Sequence, residues 1–149
     1  MGLQQKLMED MKAAMRAKDT VALEALRAIK SAILLVKTES SSKELSEKDE
    51  LKILQKLVKQ RRDSAQIFNE QNRSDLAEPE LNQAKIIEKF LPEQLSEQEI
   101  TNTVKQIISD TGAASMSDMG KVMGVANAKL AGRADGKTIS TIVKKELGS

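Results

Sequence analysis

Leu91-Pro92-Glu93-Gln94-Leu95-Ser96-Glu97-Gln98-Glu99 stops one helix and starts another. Pro92 cannot continue a helix, and it pushes Leu91 out of the helical region. Ser96, followed three residues later by Glu99, is a capping box, so a new helix opens there. Apolar residues recur at helical spacing on both sides: Leu81, Ala84, Ile87 and Leu91 before the break, and Ile100, Val104, Ile107 and Ile108 after it. The stretch predicts two helical domains, residues 1–92 and a smaller one over 93–149.

Toward the N-terminus the same signals repeat. Pro79 predicts the first turn of the helix that ends at Pro92, because its missing N–H is unneeded there. The acidic pairs Glu78/Glu80 and Glu97/Glu99 then fall at helix starts, where they suit the helix dipole. A longer helix follows Ser46-Glu47-Lys48-Asp49, a capping box with Asp in place of Glu. It turns Leu51, Leu54, Leu57, Val58, Ala65 and Phe68 inward and ends at Asn72, which tolerates the left-handed conformation. Thr38–Lys43, with three successive serines, reads as a mobile loop. Before it, Ala22, Leu26, Ile29, Ile33 and Val36 mark a helix capped by Asp19 or Thr20. Leu3, Leu7, Met11 and Met15 mark the first helix, over about 3–17.

Toward the C-terminus, Gly112 ends the helix begun at Ser96, and Ser115-Met116-Ser117-Asp118 begins the next. Met119, Val122, Met123, Ala126 and Leu130 face inward; Met116 joins Met119 and Met123 on one face and reads as core. Gly132-Arg133-Ala134-Asp135-Gly136 is a glycine-bracketed basic turn. The last helix carries Ile139, Ile142, Val143 and Leu147. No segment alternates in the manner of a strand, so the fold class is all-α.

Composition agrees and narrows the chemistry. The 149 residues include two aromatics, Phe68 and Phe90, and seven Met, so the core is aliphatic. Cys and His are both absent. That removes disulfides, thiolate and imidazole metal ligands, Ser-His and Cys-His nucleophiles, and histidine acid–base steps. There is no phosphate-binding loop and no Asp-x-Asp metal loop. The expectation is no catalytic residue, no metal and no cofactor. Met1–Gln5 does not read as a signal peptide, and Lys6 stands where a myristoylation motif needs Ser or Thr. No apolar run is long enough to span a membrane, and for a chain without cysteine the plain expectation is a cytoplasmic compartment.

Charge supplies the candidate interface. The net charge is only +2, but residues 117–149 carry six basic and three acidic side chains. Lys121, Lys129, Arg133 and Lys137 surround the glycine-bracketed turn, beside the N–H groups that open the last helix and attract anions. That arrangement suits phosphates of an RNA backbone; the alternative is a structural corner with Arg133 paired to Asp135 or another carboxylate. A second basic stripe, Lys52, Lys56 and Lys59 with Arg61-Arg62, reads as solvated surface. Without an aromatic platform, RNA would be met through shape and backbone and not by base stacking.

Gly120-Lys121-Val122-Met123 followed by Gly132-Arg133-Ala134-Asp135-Gly136 resembles the tail-domain motif of the GatB/YqeY group. Leu26-Arg27-Ala28-Ile29-Lys30, Arg62-Asp63-Ser64, Arg73-Ser74-Asp75-Leu76-Ala77 with Glu80, and Phe90-Leu91-Pro92-Glu93-Gln94-Leu95 agree with stand-alone YqeY proteins. Three positions depart: Phe90 for a frequent Tyr, Asn72 for a common Gly, and Gln83 for a frequent Glu. The resemblance implies an N-terminal helical domain and a smaller C-terminal one similar to the tail of the tRNA-dependent amidotransferase B subunit. That tail contacts tRNA as an accessory, while the catalytic centres lie elsewhere. The implied role is a non-catalytic tRNA-binding accessory protein, with tRNA or a tRNA-charging enzyme as partner and no membrane. A protein–protein adaptor is the alternative. Carbon–nitrogen ligase activity with glutamine as amide donor follows only from the shared domain.

Overall fold

The computed structural model describes residues 2–39 and 44–148. Among them are seven α-helices, a short 3₁₀ turn and no strand: α1 (Leu3–Ala17), α2 (Thr20–Glu39), α3 (Glu47–Glu70), α4 (Ser74–Glu88), α5 (Glu97–Thr111), the 3₁₀ turn Met116–Asp118, α6 (Met119–Lys129) and α7 (Gly136–Gly148). The chain divides into two compact units, Met1–Leu91 and Pro92–Ser149.

In the first unit α1 and α2 form a hairpin across a tight turn. Lys18 adopts the left-handed conformation at φ 55°, and Asp19 then caps α2 by accepting the Ala22 N–H at 3.0 Å. The Ser46 box forms: its hydroxyl accepts the Asp49 N–H at 3.1 Å, and Asp49 accepts the Ser46 N–H at 3.3 Å. Asn72 is left-handed at φ 59° and folds α4 back on α3. The core is aliphatic: Leu7 and Ala14 from α1, Leu26, Ile29 and Ile33 from α2, Leu54 and Val58 from α3, and Ala84 and Ile87 from α4.

Three sequence expectations change here. Pro79 lies inside α4, not in its first turn. The helix starts at Ser74 because the Arg73 carbonyl accepts the Leu76 and Ala77 N–H groups at 3.0 and 3.1 Å. Arg73 also clamps the Asp75 carboxylate at 3.0 and 2.9 Å, and Ala77 is buried, which docks the first turn. Glu78 and Glu80 are therefore past the helix start, and Asp75 is the acid in the first turn. Leu81 is exposed, at the edge of the inward face that Ala77, Ala84 and Ile87 make. Of the expected Thr38–Lys43 loop, Thr38 and Glu39 complete α2, with the Thr38 hydroxyl bonded to the Leu35 carbonyl at 2.8 Å. Ser40–Lys43 lie outside the described residues.

The second unit is a three-helix bundle. Ile100, Val104 and Ile107 of α5, Val122, Ala126 and Leu130 on and after α6, and Ile139, Ile142, Val143 and Leu147 of α7 enclose its core. The Ser96 box closes as expected, with the hydroxyl accepting the Glu99 N–H at 3.2 Å. Gly112, left-handed at φ 70°, ends α5. Met119 and Met123 pack against the core, but Met116 is exposed. It belongs to the 3₁₀ turn, whose different pitch takes it off the face that α6 presents inward.

Candidate nucleic-acid interface

The glycine-bracketed turn is the corner between α6 and α7. Gly132 is buried and left-handed at φ 75°, a conformation that a side chain at this position would strain. The Arg133 N–H donates to the Leu130 carbonyl at 2.9 Å and tightens the turn. Ala134 tucks into the core. Asp135 starts α7: its carbonyl accepts the Ile139 N–H at 3.0 Å, and its carboxylate accepts the Lys137 N–H at 3.4 Å and the Thr138 hydroxyl at 3.3 Å.

The corner is stitched to residues 92–95. The Gln94 side-chain amide donates to the Gly132 carbonyl at 2.7 Å and to the Pro92 carbonyl at 2.9 Å. The Leu95 N–H donates to the Arg133 carbonyl at 3.0 Å, and Arg133 Nε donates to the Glu93 carbonyl at 3.3 Å. Residues 92–95 and 132–136 are thus bonded to each other within the second unit. Gln94 is the residue that reading the sequence did not single out. Nothing in its own spacing marks it; it came only as a member of the Phe90–Leu95 block.

The four candidate cations are all exposed, but their surroundings differ. Lys121 is near the start of α6, and its Nζ donates to the Thr111 carbonyl at 3.4 Å, serving the C-terminal end of α5. It stands eight residues from Lys129, about 12 Å along the helix axis. Arg133 uses its Nε on the Glu93 carbonyl and is in no ion pair with Asp135. Lys129, the last residue of α6, and Lys137, in the first turn of α7, flank the corner from either helix. Neither ammonium has a partner among the described residues.

The anion site expected at the α7 N-terminus holds a resident anion. The Asp135 carboxylate already bonds the Lys137 N–H there, so an incoming phosphate would face a like charge. At the other end of α6, Asp118 accepts the Ala114 and Ser115 N–H groups at 2.9 and 3.4 Å. These bonds, with Lys121 nearby, hold its carboxyl below the usual carboxylate range.

Three of the upstream basic residues are engaged within the first unit, while Lys52 and Lys56 are exposed. Arg61 Nε donates to Gln83 at 3.0 Å, and Gln83 passes the chain of bonds on to Glu24 at 2.9 Å. Arg62 pairs with Glu88, and Lys59 with Asp63 at 2.9 Å.

A model of the Yqey-like protein family matches residues 4–147, and the chain belongs to this family. It is 36% identical over 107 residues to the Altered inheritance of mitochondria protein 41, mitochondrial, of Kluyveromyces lactis, covering 70% of this chain and 57% of that protein. The Clavispora lusitaniae protein of the same name is 39% identical over 82 residues, 55% of this chain and 47% of its own length. The chain therefore spans about half the length of these relatives. The E subunit of the glutamyl-tRNA(Gln) amidotransferase of Thermococcus gammatolerans is 37% identical over 73 residues, 46% of this chain and 12% of that protein.

Proposed function

We propose, from the chain's membership of the Yqey-like family, that it is a non-catalytic accessory of tRNA-dependent amidotransfer that contacts tRNA phosphates through its second unit. The observation that carries this reading is the pair of ammonium groups without a partner among the described residues, Lys129 and Lys137, on either side of the α6–α7 corner. A rigid corner holds its flanking cations at fixed spacing, which is what backbone contact to a structured RNA needs. The likeness to an amidotransferase subunit supplies the class of RNA. Lys121 and Arg133 join the surface with the part of each side chain not spent on backbone carbonyls.

The same reading assigns no turnover to this chain. Its sequence has neither Cys nor His to supply the usual nucleophile–base pairs. Glutaminase or ATPase activity that is abolished by a point change in this chain would contradict it. The protein on this reading works in the cytoplasm. Filter binding of total tRNA to the intact protein at two salt concentrations tests the proposal. Phosphate contact requires binding that falls steeply as salt rises, because each neutralised phosphate releases counterions. Absence of binding at low salt overturns it.

A further inference from the structure

The α1–α2 hairpin carries a surface that the tRNA reading does not use. Met8 and Leu34 are 59% and 52% exposed, and between them lies a groove lined by Gln4, Leu7, Met11 and Lys30. Its volume is about 120 Å³. Pockets for cofactors and small ligands run to roughly 300–1,000 Å³, so this one has room for a single protruding side chain. Lys37 donates to the side chain of Gln4, one of the lining residues, at 3.1 Å.

The rim is basic. Lys12 follows Met8 by four residues and precedes Met15 by three, so it shares their face of α1. Arg27 precedes Lys30 by three on α2. Lys12, Arg27 and Lys30 are exposed, and none is in an ion pair among the described residues. Of the acids on α1 and α2, Asp19 caps α2 and Glu24 accepts from Gln83, while Glu9, beside Met8, is exposed and in no ion pair among the described residues, so the rim sets three cations against one acid.

We propose that this groove docks an acidic amphipathic helix of a partner protein. One apolar side chain of that helix seats between Met8, Met11 and Leu34, and its carboxylates lie over Lys12, Arg27 and Lys30. Flexible methionines adapt to an inserted side chain, and a helix laid in a groove presents its anchors one turn apart. The rim sets the sign of the partner's charge. A second copy docked face to face through this surface would set Lys12, Arg27 and Lys30 against the same cations, which opposes such a dimer. An anionic bilayer takes apolar groups that protrude into it, whereas this site is concave.

The probe is a fluorescent synthetic peptide of about 20 residues, long enough to form a helix, with Leu at positions i, i+4 and i+7 and Glu elsewhere on its flanks. A control peptide carries Lys for every Glu. Anisotropy with the intact protein should show binding of the Glu peptide and none of the Lys peptide. Met8→Glu with Leu34→Glu should weaken it by at least about tenfold while the melting temperature holds. Lys12→Glu with Lys30→Glu should invert the preference, so that the Lys peptide binds. The proposal is overturned by Glu-peptide binding that both double variants leave intact, or by no binding at all. It is equally overturned if these substitutions abolish a concentration-dependent dimer in sedimentation, or abolish co-sedimentation with vesicles of phosphatidylglycerol and phosphatidylcholine.

Discussion

The Gly132–Gly136 corner and the α1–α2 hairpin face both present basic and small or apolar residues, yet they spend them differently. At the corner, Gly132, Arg133, Ala134 and Asp135 are engaged in the turn itself, through a left-handed backbone, a bond to Glu93, a place in the core and a helix cap. On the hairpin, Met8, Leu34, Lys12 and Lys30 are turned outward with their charges unpaired. A conspicuous motif can therefore be mostly architecture, with its interaction potential displaced to the residues beside it, here Lys129 and Lys137. A plain amphipathic stripe can hold the more open surface.

The sharpest contrast is in stability. Leu130 is 2% exposed under the corner, and Leu130→Ala should destabilise the second unit by about 2–5 kcal/mol. Chemical denaturation followed by circular dichroism reads this; a loss within error would mean that the corner is not anchored to the core. Gly132→Ala forces a side chain into the left-handed region and should cost about 1–2 kcal/mol. A neutral result there would separate the motif from the backbone geometry assigned to it. On the hairpin, Met8→Gln and Leu34→Gln should each change stability by no more than about 0.5 kcal/mol, as exposed positions do. A large loss would show that this face is covered, and the contrast between the regions would fail.

A smaller effect tests the far end of α6. The Asp118 carboxyl is held low by the Ala114 and Ser115 N–H groups, and then by Lys121. A carboxyl lower in the folded state than in the unfolded chain adds stability above its unfolded value, near 3.9. That contribution is lost as pH falls through the lower folded value. An NMR titration of Asp118 should give a midpoint below that of an ordinary aspartate, and an ordinary midpoint would mean that these bonds are not formed.

Local signals explain which parts of the fold were legible. Ser46 with Asp49, Ser96 with Glu99, Asn72 and Gly112 each act within a turn of their own position, so the sequence displays them directly. Pro79 misled because the start of α4 is set by the Arg73–Asp75 clamp and the burial of Ala77, which outweigh the positional preference of proline. Met116 misled because a 3₁₀ turn interrupts the helical period. At the candidate site the exposure of the lysines was readable from their place off the apolar stripes. The stitching of Gln94 and Glu93 to Gly132 and Arg133 was not, since it joins residues 38 and 40 positions apart. Asp135 was visible as an acid, but its hold on the α7 N-terminus depends on side-chain direction that spacing does not fix.

The separation between structural corner and flanking cations also selects the decisive variant. Arg133 is a poor probe of RNA contact, because removing it takes away the bond to Glu93 as well. Lys129 and Lys137 have no such structural duty. The measurement is the salt dependence of total-tRNA binding by the Lys129→Ala/Lys137→Ala protein beside the unaltered chain, with melting temperatures matched. The account predicts weaker binding across all tRNAs and a salt slope reduced by about two units, one for each phosphate no longer neutralised. An unchanged affinity and slope would contradict it.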